Sequence, residues 1–144
     1  METFERPLHP RWSDLDPNQH LRHSVYYDFA AQVRSELFLA HGLRPSDIAA
    51  YGVGPVLFEE KATFRRELRY GDELRMNAAV YTLRRDYSRF GFRHEIWRGD
   101  TLCATVQVYG AWIDLKARKL TAPPAALQEQ FGTLPLSGDF AWEA

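Results

Sequence analysis

The spacing of apolar positions changes once along the chain, and the change separates a helical opening from a strand-rich remainder. Tyr26, Phe29, Ala30, Val33, Leu37 and Ala40 recur at intervals of three and four, the period of a helix with one buried side, and predict a helix over about residues 25–41. Ser24 is a fair N-cap for it, and His41-Gly42 supplies a stop. Val25, Tyr27, Ala31, Phe38 and Leu39 fall elsewhere on the helical wheel, so the helix is expected to be covered over much of its circumference. From Val53 onward the period is two. Leu74, Met76, Ala78 and Val80 alternate with polar or small neighbours, as do Phe90, Phe92, His94 and Ile96, then Leu102, Ala104, Val106 and Val108, which is the pattern of strands with one buried face. The breaks at Tyr70-Gly71-Asp72, Arg85-Asp86 and Arg98-Gly99-Asp100 are too short for parallel crossovers, so the strands are expected to run as an antiparallel meander. An extended stretch over residues 8–14, ending where Asp14 and Pro17 favour a turn, reads as a first strand. One long early helix with an antiparallel sheet of about five strands rolled around it makes an α+β domain.

Composition narrows the picture. A chain of 144 residues fits a single domain, with only the Pro-, Gly- and Ser-punctuated tail from about residue 123 expected to be loosely organised. Apolar residues make up 45% and charged residues 26%, the balance of an ordinary globular protein rather than a disordered or membrane chain. A formal charge of −1 provides no global field toward nucleic acid or anionic lipid, so neither is an expected partner. No apolar run approaches the ~20 residues of a membrane helix. The opening METFERPLHPRW lacks the plan of a secretory signal, and a cytoplasmic location is expected. The lone Cys103 has no internal disulfide partner, and inside the alternating TLCATVQV it reads as a small core or strand residue rather than a catalytic thiol.

The chemistry concentrates in DLDPNQHLRHSVYYDF, residues 14–29, where Asp14, Asp16, His20 and His23 precede the helix. Taken alone, such aspartates commonly bond the amides of their own turn. The spacing His20-x-x-His23 beside two acids also permits a metal, but no companion Cys cluster and no H-E-x-x-H helix supports one, and no metal is expected. Arg84, Arg85 and Arg89, with Ser88 between them, flank a turn in RRDYSR, either as a solvated turn or as donors to an anion. Glu59 and Glu60 are adjacent on a strand, so only one of them points inward.

Asp14, Asp16 and His20 fall on the signature D-x-D-x-x-G-H-V-N-N, and Tyr26, Phe29 and Arg34 on its later aromatic and arginine positions. YGDELRMNAAV is similar to a G-D-x-[LV] strand start, and WIDLKARKLTAPP to a V-D-x-x-x-x-[KR]-x-x-x-x-P hairpin. Together, over most of residues 8–127, these motifs resemble the hotdog-fold acyl-CoA thioesterases of the 4-hydroxybenzoyl-CoA thioesterase-like group. Gln19 stands in place of the usual glycine, Arg22-His23 in place of Asn-Asn, and Ala31 where many relatives are acidic.

The resemblance implies a hotdog fold, and a homodimer or dimer of dimers in which two sheets pair edge to edge with active sites between subunits. It also implies hydrolysis of an acyl-CoA to free acid and CoA, with no cofactor beyond the CoA portion of the substrate. A thioester expels a thiol of pKa near ~8.5, so one carboxylate suffices, and by resemblance that carboxylate is Asp16, as nucleophile or as general base on water. Amides near His23 and Ser24, at the positive end of the helix, would stabilise the oxyanion. His20 would complete the catalytic set by orienting a carboxylate or touching substrate. Ser24, Tyr26 and Tyr27 would lie beside the acyl group, Glu59 with Glu60 would form a second carboxylate pair, and Arg84, Arg85 and Ser88 would meet the CoA phosphates. A non-hydrolytic acyl-CoA or acyl-carrier-protein binder is the alternative, since a fold does not fix a chemistry. A dehydratase lacks its acid–histidine pairing.

Overall fold

The three-and-four spacing after Ser24 folds as helix α1, Val25–Ala40, in a computed structural model that describes residues 3–144. Its end is a Schellman motif: Gly42 takes φ +73, its N–H donates to Leu39 O at 3.2 Å, and Leu43 N–H donates to Phe38 O at 2.8 Å. Its beginning differs from expectation, because Ser24 is itself helical in backbone and makes no side-chain cap. The Ser24 hydroxyl instead accepts from Arg22 Nε at 2.9 Å.

Seven strands form the sheet: β1 (Glu5–Leu8), β2 (Val53–Phe64), β3 (Leu74–Asn77), β4 (Ala79–Leu83), β5 (Arg89–Arg98), β6 (Thr101–Asp114) and β7 (Leu136–Trp142). They fill five rows. β2 pairs with β6 and β6 with β5; β3 and β4 share the other edge of β5; β1 lies outside β3, and β7 outside β4. The expected count of about five strands therefore counted rows, and Ala78, whose N–H turns to Phe4 O at 3.0 Å, divides one row in two. The β5–β6 hairpin turns at Gly99, φ +58, as a first turn residue of type II′ requires.

Three further expectations are corrected. The first strand, Glu5–Leu8, shares only Leu8 with the expected stretch 8–14, within which Trp12–Asp14 form a 3₁₀ turn instead. The tail is organised: Ala125–Phe131 is helix α3, and β7 follows it. The meander is not wholly antiparallel, since β7 runs parallel to β4.

α1 packs across one face of this sheet, against β1, β2, β3 and β6, in the helix-on-sheet arrangement of a hotdog fold. Val25, Ala30, Val33 and Leu37 meet Phe92, Ile96, Val106 and Val108 in one continuous core that also buries Cys103. Phe131 of α3 fills the remaining end, with ring centroids 5.7–6.1 Å from Phe38, Phe90, Phe92 and Trp112. The covering of α1 is incomplete: Ala31, Ser35 and Leu39 stay exposed along one flank. No helix among the described residues is long and apolar enough to cross a membrane.

Candidate active site

The loop before α1 is built by its two aspartates, and they do different work. Asp14 is buried and accepts from Arg11 at its backbone N–H and guanidinium, at 2.8–3.2 Å. Those bonds hold its carboxyl below the usual carboxylate range. Its carbonyl accepts Arg22 N–H at 2.7 Å, so Asp14 is an anchor that closes the loop on itself. Asp16 sits at the head of a tight turn. Its N–H donates to His20 O at 2.8 Å, and its Oδ1 accepts the amides of Asn18 at 2.8 Å and His20 at 3.1 Å. The other oxygen, Oδ2, has no hydrogen-bond partner among the described residues. Gln19 closes the turn at φ +65, a conformation natural to glycine, which gives the physical reason for glycine at that place in the signature.

The loop is fixed from outside as well. Leu21 N–H donates to Leu68 O at 2.7 Å, and His20 Nε2 lies 3.1 Å from Glu67 Oε2. The His20 ring therefore contacts Glu67, and only its backbone bonds Asp16. Tyr26, the second residue of α1, is buried edge-on against Phe64 with centroids 4.9 Å apart. Its phenol is pushed up to about 12, chiefly by burial, with smaller contributions from Cys103 and then Asp16. It is thus a neutral hydroxyl within the electrostatic reach of Asp16. The Tyr27 hydroxyl accepts Ala62 N–H at 3.2 Å, tying α1 to the C-terminal end of β2. His23 and Ser24 are exposed at the helix mouth, and their amides donate to no group among the described residues.

A second feature, which the sequence reading did not foresee, is a cavity of about 450 Å³ between the exposed flank of α1, helix α2 (Pro45–Ala50) and the first half of β2. Phe38, Leu43, Ile48, Leu57, Phe90 and Phe92 make it apolar, and Arg34 is its one charged wall. Arg34 Nη1 lies 2.9 Å from Nε2 of His94, whose Nδ1 lies 2.9 Å from Asn77 O. His94 is fully buried and pushed down to about 3, first by burial and then by the charge of Arg34. The signal for this pair was a histidine in the inward phase of a strand.

Other predicted residues lie elsewhere. Glu59 registers with Tyr109 and faces away from α1, whereas Glu60 registers with the buried Val108 and faces it. Arg84 pairs with Glu143 at 2.8 Å, Arg85 stacks 4.5 Å over Trp142, and the Ser88 hydroxyl donates to Asp86 at 2.6 Å. All three are engaged with the turn or the C-terminal strand. Within one chain they sit at the opposite end of the sheet from Asp16: Phe64, beside Tyr26, registers with Ala104, and Arg89 with Ala111, which is ~24 Å along a strand rising ~3.4 Å per residue.

The unpaired edge of β2 relates these two ends. β2 is a 12-residue strand paired, among the described residues, only with β6, with Leu57, Phe58 and Phe64 substantially exposed. Long, apolar free edges are the ones that proteins cover.

Comparison with known proteins gives a family and a fold. A family model for the thioesterase-like superfamily matches residues 10–131. Among proteins of curated function none matches the chain in sequence. Solved structures do match in shape. A hypothetical protein, TT1821, from Thermus thermophilus superposes with TM-score 0.81 at 20% identity over 91% of this chain and 98% of that one. The hypothetical protein SAV2348 from Staphylococcus aureus, in complex with CoA, gives 0.81 at 23% identity over 91% and 82%. Slr0204, a 1,4-dihydroxy-2-naphthoyl-CoA thioesterase from Synechocystis, gives 0.79 at 19% over 92% and 97%.

Proposed function

Because the chain belongs to the thioesterase-like superfamily, we propose that it hydrolyses an acyl-CoA thioester to the free acid and CoA, in a site completed by two copies of the chain. The observation that carries this reading is the Asp16 carboxylate, steadied through one oxygen by two amides while the other is unengaged. That free oxygen is the group that attacks the thioester carbon, or that takes the proton of an attacking water. The exposed amides of His23 and Ser24, at the N-terminus of a 16-residue helix, provide donors for the negative charge that attack creates. Asp14 and Tyr26 act as its supports, one closing the loop and the other backing it.

Pairing of two β2 edges antiparallel about a two-fold axis makes the site whole. The Asp16 end of one protomer, at Ala62 and Phe64, then lies against the partner's cavity end, at Val53–Leu57. The acyl group occupies the apolar cavity of one subunit, and the carboxylate comes from the other. The same operation brings the partner's Arg84–Arg89 turn toward the Asp16 end, where CoA phosphates need cations. Tyr26 and Tyr27 serve as walls and tethers of the helix mouth, and Glu60 is the inward carboxylate of its pair with Glu59. CoA as the carrier is supported by the CoA-bound structural neighbour.

The test is a thiol-release screen over short, medium, long and aryl acyl-CoAs, run with native mass measurement. Release of free CoA by a dimer or larger assembly is expected. Tight binding of acyl-CoA without release would establish the binding-module alternative, and a monomer with full activity would overturn the shared site.

A further inference from the structure

Resting on the thioesterase reading, we propose that Arg34 selects acyl groups bearing an oxygen remote from the thioester, whether hydroxyl, oxo or carboxylate, and that His94 is the residue that positions it. A guanidinium has five N–H donors and stays charged throughout the working pH range. One goes to His94, and the others meet no acceptor among the described residues. Among the described residues no carboxylate forms an ion pair with Arg34, although Glu60 is near enough to favour its charged form, against the larger opposing effect of burial. Among otherwise apolar walls, unsatisfied charged donors are costly, and an oxygen arriving on the substrate removes that cost. A cavity of about 450 Å³ falls within the roughly 300–1,000 Å³ of small-molecule pockets, which is room for a medium-length chain or an aromatic ring carrying such an oxygen.

The anchor is what makes the selection work. With its Nδ1–H donated to Asn77 O, His94 presents the Nε2 lone pair to Arg34. A carboxylate in that place would fix the guanidinium and also neutralise it. A neutral imidazole fixes it and leaves the whole charge facing the cavity. Burial keeps His94 neutral at any pH where the enzyme would operate, so the anchor does not release.

The experiment uses octanoyl-CoA, its ω-hydroxy analogue and its ω-carboxy analogue, measuring binding by calorimetry and hydrolysis by thiol release on the intact protein. For the parent, kcat/KM for at least one oxygenated substrate is expected to exceed that for octanoyl-CoA by ~10-fold or more, the scale of one net hydrogen bond. In Arg34→Met that ratio falls to near one or below, whatever the overall rate. His94→Leu loses the same ratio, and His94→Gln, whose amide oxygen accepts from Arg34, restores part of it; a merely structural His94 would lower rates without moving the ratio. Which analogue prefers the parent separates a neutral acceptor from an anion. A parent that favours octanoyl-CoA, or a ratio unchanged in Arg34→Met, overturns the proposal. Should no substrate release thiol, the hydrolytic reading fails by itself, and the ratio of binding constants across the same three ligands decides the role of Arg34.

Discussion

Asp16→Asn separates the chemical role of this residue from its structural one more cleanly than any other change. The asparagine keeps Oδ1, which accepts the amides of Asn18 and His20, and asparagine is as good a turn-former as aspartate. The new amide group stands where Oδ2 was and can neither attack a carbonyl nor take a proton. Two hydrogen bonds to a charged acceptor become bonds to a neutral one, in a loop open to water, and the stability loss is on the order of 1 kcal/mol. The rate loss is far larger: removing a positioned base or nucleophile costs ~10²–10⁴-fold, about 2.7–5.5 kcal/mol of barrier. Asp16→Ala, which deletes both turn bonds, gives the same rate loss with an additional ~1–2 kcal/mol of stability loss. The assay is initial-rate thiol release on the best substrate of the screen, alongside urea unfolding of all three proteins. KM should hardly move in the asparagine variant while kcat collapses. An asparagine variant within about threefold of the parent, less than one factor of ten in the barrier, refutes the assignment. So does one as unstable as the alanine variant, because its rate loss would then be a folding defect.

Gly110→Ala should lower stability by ~2–3 kcal/mol or more, since the added Cβ would stand 2.2 Å from Val56 O and only separation of β2 from β6 relieves it; an unchanged urea midpoint contradicts this. At Gln19, held at φ +65, the parent side chain already bears the left-handed penalty, so glycine should be at least as stable as the parent and a β-branched valine roughly 1–2 kcal/mol less stable than glycine; equal midpoints for the two variants would remove the strain argument. His94 makes stability depend on pH. Its folded pKa is lowered from 6.5 to about 3, so below pH 6.5 the unfolded chain binds a proton that the folded one does not. Stability then falls by ~1.4 kcal/mol per pH unit, reaching ~2 kcal/mol at pH 5. Arg34 faces His94 and stays charged in this window, while Asp14 and Asp86, both lowered from 3.8, lose their contributions only below it. His94→Gln should flatten the slope between pH 5 and 6.5, and a parent whose midpoint is level over that range contradicts the buried neutral state.

Much of the architecture was legible because side-chain phase and backbone structure agree. The intervals from Tyr26 to Leu37 give α1 within a residue, and Gly42 ends it because only a residue at ease with positive φ completes the Schellman bonds. Asp16 was singled out by resemblance, and its turn follows from ordinary aspartate chemistry. What escaped were features in which phase carries no information. The break at Ala78 leaves Leu74, Met76, Ala78 and Val80 all buried, so alternation runs through a change of pairing partner without a mark. β7, LSGDFAW, has a largely exposed pattern and is held at the sheet edge by partners distant in sequence, Thr82 and Arg93 among them. Ser24 satisfied the composition rule for a cap, but the guanidinium of Arg22 competes for its oxygen.

The orientation of Glu59 and Glu60 looked undecidable from sequence, yet the strand itself decides it. In VGPVLFEEKATF a regular strand with Val53, Pro55 and Leu57 facing the helix would turn Glu59, Lys61 and Thr63 inward as well. Two charged groups and a hydroxyl would then meet α1, while Ala62 and Phe64 faced outward. One extra residue repairs this. The register slips between Leu57 and Glu59, so Phe58 bulges and the inward set becomes Glu60, Ala62 and Phe64. The switch of apolar positions from odd to even numbers across Phe58 is the sequence mark of the bulge. Its consequence is functional, because Phe64 thereby backs Tyr26 beside Asp16, while Leu57, on the other side of the bulge, remains a wall of the cavity that holds Arg34. The bulge lies between the two proposed half-sites on the long edge strand β2, so in the proposed dimer the strand that joins two copies would also set the phase of the residues each contributes.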